Sequence, residues 1–251
     1  MTFTLTASAG RAYNWFIKSA ADGKQPVVFD NNKMPDKYGA LYLGSPDEKV
    51  VYLTFDVGYV NENVIKILDV MEKYNIKSAF FLLPQPIKHD TDVVKRMYDE
   101  GHIVANHSYS HRNMATVTDY SNFLKEITDL EDLYREYTGH EMGKYFRPPE
   151  GRFSEKTLEF SERAGRVMVF WSFAYKDWDN GQQPNTAGAL NKILSNLHNG
   201  EVFLLHPTSA TNAAVFEDAI NEILARGYRF GTLDELYAAQ YPDVSNTEIF
   251  E

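Results

Sequence analysis

The sequence predicts an α/β fold in which strands and helices alternate around a mostly parallel sheet or barrel. Short apolar runs recur from Val50 to Phe230, and stretches with helical spacing of apolar residues separate them. The length of 251 residues suits one large domain, as barrels of this size commonly form. A hydrophobic content of 43% supplies enough apolar side chains for a sizeable core.

Residues 1 to about 47 read as an irregular N-terminal arm, because Gly10, Gly23, Pro26, Asn31-Asn32, Pro35, Gly39, Gly44 and Pro46 punctuate it with turns. Its aromatic residues Tyr13, Trp15, Phe16, Tyr38 and Tyr42 suggest an arm packed on the main body. The main domain then spans 48–240, with a tail at 241–251. Val50-Val51-Tyr52-Leu53-Thr54-Phe55 reads as a buried strand, followed by a helix carrying Val64, Ile65, Leu68, Val70 and Met71. Ser78–Leu83 is a second strand, and Asp92–Glu100 a helix stopped by Gly101. Ile103–Ala105 is a short strand. The segment Asp119–Tyr137 is a longer helix with Phe123, Leu124, Ile127, Leu130, Leu133 and Tyr134 along one side. Strands follow at Val167–Trp171, Val202–Leu205 and Tyr228–Phe230, and helices at Ser154–Arg163, Asn185–Leu197 and Asn212–Arg226. In such folds, sites form at the carboxyl ends of the strands.

Composition removes several function classes. A net charge of −10 argues against nucleic acid, whose phosphates need clustered Lys and Arg. The absence of cysteine excludes disulfides, thiol nucleophiles and thiolate metal sites, leaving His, Asp and Glu as ligands. No apolar run is long enough to span a bilayer. The first nine residues lack a basic n-region and are too short for a signal peptide, although Ala7-Ser8-Ala9 resembles the end of one, so the expected signal is absent or trimmed. The 16 Tyr, 16 Phe and 3 Trp can line a sugar-binding cleft or simply pack the core. Motifs for serine nucleophiles, P-loops and dinucleotide folds are absent.

Five short motifs lie in order: Thr54-Phe55-Asp56, His107-x-x-x-His111, Arg147-Pro148-Pro149-x-Gly151, Asp177-Trp178 and Leu204-Leu205-His206. Together they supply a carboxylate, paired imidazoles, a fixed cation and a further histidine, the parts needed for metal-assisted amide hydrolysis. Asp56 ends a buried strand; it can cap the next helix or serve as a general base. Arg147, set before two prolines, can hold that carboxylate ionised. The spacing of His107 and His111 puts both rings on one side of a turn, where they are either surface histidines or ligands suited to Zn²⁺, Co²⁺, Ni²⁺ or Mn²⁺. Asn106, Ser108 and Ser110 can orient those rings. His206 stands at a strand tip, either structural or held protonated by Asp177 as the acid for a departing amine. Trp178 suits one wall of a sugar cleft. His89, His102, His140 and His198 lie in ordinary turn or surface contexts and receive no role.

These residues resemble the polysaccharide deacetylases with a NodB-homology domain, carbohydrate esterase family 4, over roughly Val50 to Leu236. The likeness is greater to the delta-lactam-forming, muramic-acid de-N-acetylase branch of the bacterial spore cortex, through Tyr38-Gly39-Ala40-Leu41-Tyr42-Leu43-Gly44, Thr54-Phe55-Asp56-x-Gly58-Tyr59, Asn106-His107-Ser108 and Phe170-Trp171-Ser172. The resemblance implies a distorted (β/α) barrel of the NodB-homology type with an N-terminal extension. It implies metal-assisted removal of N-acetyl groups from peptidoglycan amino sugars, N-acetylmuramic acid foremost. Asp56 is then the base, His107 and His111 the ligands of a divalent metal (Zn, Co, Mn or Ni), Arg147 and Asp177 the tuning residues, and His206 the acid. Tyr59, Pro148, Glu150, Gly151, Trp178 and Leu204 fall to substrate binding, with a backbone N–H of the Arg147–Gly151 loop facing the oxyanion. The implied partner is a peptidoglycan glycan strand, met by a monomer that is secreted or associated with the cell wall.

Two positions depart from the pattern. Family members generally carry a second Asp after the first as third metal ligand, and the muramic branch often has Asn; here Val57 offers no donor atom. Glu150 stands where muramic-acid enzymes tend to carry Arg, which would suit the lactyl carboxylate. The alternatives are a non-catalytic glycan-binding relative with a degraded metal site, or a deacetylase of another N-acetylglucosamine polymer.

Overall fold

The strand at Val50–Val57 is buried at every position and lies at the centre of an eight-stranded sheet. A parallel strand covered by helices on its outer side and by other strands' side chains within has no solvent face, so it reads as a continuous apolar run. The computed structural model describes residues 11–20, 23–28 and 33–242. The expectations for Gly10, Asn31-Asn32, Ala7-Ser8-Ala9 and nearly all of the tail fall outside these.

The arm carries β1 (Ala12–Asn14), β2 (Ile17–Lys18) and β3 (Val27–Val28), so it is less irregular than its turn residues imply. The central strand is β4 (Val50–Val57), followed by α1 (Glu62–Lys73), β5 (Ala79–Leu82), α2 (Pro84–His89), α3 (Thr91–Asp99) and β6 (Ile103–Asn106). Then come α4 (Tyr120–Thr138), β7 (Tyr145–Phe146), β8 (Arg152–Ser154), α5 (Glu155–Arg163), β9 (Val167–Met168) and β10 (Phe173–Ala174). The chain ends with α6 (Thr186–Asn196), β11 (Glu201–Leu205), α7 (Ala210–Ala225), β12 (Arg229–Gly231) and α8 (Leu233–Gln240). Asn61, not Asp56, caps α1, accepting from the N–H groups of Asn63 and Val64. Asp56 is thereby left without a capping role.

All pairings within the large sheet are parallel, in the order β10-β11-β4-β5-β6-β7-β9, with β12 beside the start of β4. Parallel neighbours require crossovers, which the helices supply. Among the described residues no strand joins β9 to the β10–β11 edge. The arm fills it: Leu41 bridges to Val169 and Leu43 to Glu201, making a distorted barrel with a non-strand seam. The seam is tight at Gly44, whose N–H donates to Gly200 O at 2.7 Å. A Cβ on Gly200, which has a positive φ of 69°, would lie 2.4 Å from the Gly44 carbonyl carbon.

Further along the arm, β1 pairs antiparallel with β8, opposing Asn14 to Arg152. Trp15 stacks on Phe170 at 4.3 Å, and its indole N–H donates to Trp171 O at 2.8 Å. The arm is thus joined to the barrel by ladder bonds as well as by aromatic packing.

Two histidines expected in surface contexts are buried. His102 packs edge-on to Phe80 beside Ser78. His198 places Nε2 2.9 Å from Ser172 Oγ, and its backbone N–H donates to Glu201 Oε2. Burial raises the Glu201 carboxyl well above its usual range. This Ser172–His198–Glu201 chain sits at the opposite end of β11 from His206 and is sealed from solvent, so it is a structural network.

Gly200→Ala is expected to destabilise the protein by about 2–4 kcal/mol, because the added Cβ meets backbone rather than a movable side chain. Urea denaturation checks this; an unchanged midpoint would mean that the Gly44–Gly200 contact does not hold the seam.

Candidate active site

Strand order places Asp56 (β4), the loop after β6, the turn after β7 and His206 (after β11) at one end of the sheet. They surround a cleft of about 650 Å³. Its walls include Asp56, Val57, Tyr59, His107, His111, Glu150, Trp178, Leu204 and His206. Sequence reasoning had named all of these.

Arg147 lies under the cleft and is fully buried. Its Nη1 donates to Asp56 Oδ1 at 2.8 Å and its Nη2 to Thr54 Oγ1 at 2.6 Å, with longer bonds to the Val169 and Phe170 carbonyls at 3.3 Å. The guanidinium also lies 4.2 Å from the Phe81 ring centre. Thr54 passes the chain on by donating to Phe203 O. Burial alone would raise the Asp56 carboxyl. The Arg147 guanidinium outweighs it, with help from His107 and His206, and holds the group below its usual range. Asp56 therefore stays ionised at the cleft floor.

His107 is buried beside it. Its Nδ1 lies 2.9 Å from Arg147 O, and a carbonyl can only accept, so Nδ1 carries the proton. Burial pushes the imidazole down to about 4, which leaves Nε2 as a bare lone pair. That lone pair faces Asp56 Oδ2 at 3.5 Å, acceptor against acceptor. The His111 ring centre is 5.3 Å from that of His107. The two rings meet because Ser108 and His111 both take positive φ, at 68° and 53°, in a turn closed by Asn106 Oδ1 and Ser108 Oγ. The chemistry of this donor set fits a divalent cation at two imidazoles. Among the described residues no third His, Asp or Glu joins them, and Val57, at the place of the expected ligand, is fully buried.

On the facing wall, His206 Nδ1 is 2.7 Å from Asp177 Oδ1, and its backbone N–H reaches Asp177 Oδ2 at 2.8 Å. Asn212, at the start of α7, donates to the same Oδ2 at 2.6 Å. Burial would lower the His206 imidazole, but the bond and charge of Asp177 prevail and raise it above its ordinary value. A proton donor on one wall and an ionised carboxylate on the floor can act as an acid–base pair.

Arg147 and Asp177 are not part of the lining; each sits behind the residue whose proton affinity it shifts. Pro148 and Gly151, expected at the substrate, are buried and do not line the cleft either. The reason is the turn between β7 and β8. Glu150 adopts a left-handed conformation (φ 56°, ψ 14°) and Gly151 follows with φ 64°. A Cβ on Gly151 would lie 2.8 Å from both the Trp15 Cβ and the Trp171 ring, so this residue is wedged beneath the arm. Only Glu150 of the four residues after Arg147 reaches the lining. Trp178 is exposed, with its ring 6.0 Å from that of His206. Tyr59 is half-exposed and takes a hydrogen bond from Asn180.

Sequence reasoning missed Asn14, Arg152, Trp171, Tyr175 and Thr208 in the lining, and Asn212 behind it. Arg152 had one available signal, the alternation that places it two residues from Glu150. Asn14 had none, since it belongs to the arm.

A parallel α/β barrel with an acid–base cleft at the carboxyl ends of its strands defines the class. The family model for polysaccharide deacetylase matches residues 44–169, and the chain belongs to that family. Over 82% of this chain and 77% of the relative, it is 43% identical to an uncharacterized 30.6 kDa protein of Geobacillus stearothermophilus. It is 37% identical over 224 residues to the peptidoglycan-N-acetylmuramic acid deacetylase PdaA of Bacillus subtilis, covering 89% of this chain and 85% of that one. The structure of PdaA, a family 4 carbohydrate esterase, superposes with a TM-score of 0.86 over 90% of this chain and 97% of that one, at 36% identity. A family 4 pseudoenzyme from Bacillus anthracis superposes with a TM-score of 0.72 at 26% identity, covering 79% of this chain and 68% of that one.

Arg147→Met is expected to cost about 3–5 kcal/mol of stability at neutral pH, by leaving a buried carboxylate unpaired. The depressed pKa of Asp56 stabilises the fold above the usual carboxylate range, and this is lost as pH falls through the folded-state value. The gap between variant and parent should therefore narrow in acid. Urea titrations at pH 7 and in acid measure it; a pH-independent gap would remove Asp56 from the account.

Proposed function

We propose that this chain removes N-acetyl groups from the amino sugars of peptidoglycan, N-acetylmuramic acid foremost. One observation carries the reading: Asp56 paired with Arg147 faces, across one cleft, His206 paired with Asp177, which raises its affinity for a proton. The likeness to PdaA supports the substrate.

Asp56 takes the proton of the attacking water, and Arg147 keeps it ionised beforehand. His206 delivers a proton through Nε2 to the amine nitrogen as the C–N bond breaks; Asp177 fixes its tautomer and ring angle. Charge developing on the acetyl oxygen meets a backbone N–H of the turn after β7. Pro148 and Pro149 have none, and those of Arg147 and Gly151 are bonded to Asn106 O and Pro148 O. The Glu150 N–H is the remaining donor of that turn. His107 and His111 would hold a divalent ion, Zn, Co, Mn or Ni, by Nε2 of the first and the ring of the second. Such an ion supplies Lewis-acid polarisation of the acetamide carbonyl. Trp178 and Tyr59 offer ring faces to the sugar at the mouth. The chain acts as a monomer on the glycan strand, at the cell wall. Among the described residues no helix is long and apolar enough to cross a membrane.

Val57 favours a second reading, a non-catalytic glycan-binding relative, and the pseudoenzyme among the similar structures gives it a precedent. Acetate release from peptide-stripped peptidoglycan, with divalent metal or with chelator, separates the two. Metal-dependent release is the expected result. Strands bound without release under any metal would establish the second reading. Chitin oligomers in the same assay test the remaining alternative, another N-acetylglucosamine polymer.

Val57→Asp should tighten divalent-ion binding about tenfold or more by adding a ligand, and raise acetate release with it. Calorimetric metal titration of both proteins checks this; equal affinities would place residue 57 away from the ion. In a separate test, Asp177→Asn should shift the alkaline limb of the pH–rate profile to lower pH. His206 works only while protonated, so activity falls as pH rises through its raised value, and loss of Asp177 lowers that value. An unmoved limb would take His206 out of the acid role.

A further inference from the structure

Among the described residues that line the cleft, Arg152 is the only Lys or Arg. Its Nε lies 2.9 Å from Glu150 Oε2, and no other carboxylate pairs with it among the described residues. Both side chains are open to solvent, at 45% and 56% exposure. Two features of the backbone set this pair in place. Arg152 opens β8 and is fixed by pairing with Asn14 of β1, itself a lining residue. Glu150 holds a left-handed conformation, uncommon for a residue with a side chain, in the turn pinned by Gly151 between Trp15 and Trp171. With a net charge of −10, the protein as a whole repels an acidic glycan, and a cation fixed in the lining offsets this locally.

We propose that Arg152 is the residue that recognises a carboxylate carried on the sugar, as on the lactyl group of muramic acid, and that Glu150 is a competing internal carboxylate that tunes this recognition. The proposal rests on the reading of the cleft as that of a glycan deacetylase. A guanidinium has five donors in a planar fork. Glu150 engages the Nε edge and leaves the Nη groups for the substrate. An ion pair this exposed is weak, so an incoming carboxylate can share or replace Glu150. The Arg that the resemblance expects at position 150 has thus been replaced by a cation two residues on, across a turn. Neutral N-acetylglucosamine units gain nothing from Arg152, and the pair discriminates between the two sugars.

The test is equilibrium binding to the full chain, with chelator present so that no turnover intervenes. The probes are two oligomers of equal length, one containing N-acetylmuramic acid with a free lactyl carboxylate, the other N-acetylglucosamine alone. Arg152→Gln should weaken the muramic oligomer about tenfold and leave the neutral one unchanged, as expected for one lost charged hydrogen-bonding partner. Glu150→Gln should strengthen the muramic oligomer at low salt, and high salt should erase the gain. An equal loss on both oligomers, or no change on either, overturns the proposal. Should Arg152→Gln fail to fold, Glu150→Gln alone decides: no gain for the muramic oligomer overturns it. Metal-dependent acetate release by the unmodified chain tests the deacetylase reading separately. A chain that releases acetate without the binding split overturns only the role of Arg152, and one that shows the split without release overturns only the catalytic reading.

Discussion

Arg147 is the interaction on which the cleft depends. A guanidinium fully removed from water carries a desolvation cost on the order of several kcal/mol, tolerable only when its donors are met. Here they are met by Asp56 and Thr54 from β4 and by carbonyls just after β9. Its own carbonyl fixes the proton on His107. One buried cation thus ties the central strand to the far side of the barrel, keeps the floor carboxylate charged, and sets the tautomer of the neighbouring imidazole. Polar groups joined in this way are specific because each missing partner leaves another buried and unsatisfied.

The facing pair follows a similar logic with opposite sign. Asp177 is buried and supported by Asn212, and it raises the proton affinity of His206 at the cleft wall. In both halves the group that reaches solvent is set by a partner that does not. This arrangement sets the proton affinities of a carboxylate and an imidazole in one cleft in opposite directions.

Much of this was legible in the sequence, and for identifiable reasons. Val50–Phe55 and Val202–Leu205 are long apolar runs, and the first lies at the centre of the sheet, so hydrophobicity exposed both. Asp56, His107, Arg147 and His206 stand at the ends of strands or in short motifs where few other roles fit. What escaped came from elements too short to show periodicity. Tyr145–Phe146 and Phe173–Ala174 are two-residue strands, and Pro84–His89 is a six-residue helix with two prolines. Arg152 and Asn14 share that cause, since β1 and β8 are recognisable only once paired. Pro148 and Gly151 were assigned to the cleft from their motif, but two successive left-handed residues turn the backbone so that only Glu150 faces it.

The seam between β9 and the β10–β11 edge has a consequence for how the protein is made. Leu41 and Leu43 precede every strand of the large sheet, yet their partners Val169 and Glu201 belong to the far part of the chain. During synthesis the Leu41–Leu43 segment emerges well before Val169 and Glu201 and cannot make these bridges until they have followed it. Such distant pairings form late, because the intervening chain must be ordered before they bring any gain. The barrel is therefore closed by residues that precede all of its strands, in the same arm that carries Asn14 and Trp15. The wall of the cleft around Arg152 is completed only once that arm has docked, because Asn14 faces Arg152 across the β1–β8 pair.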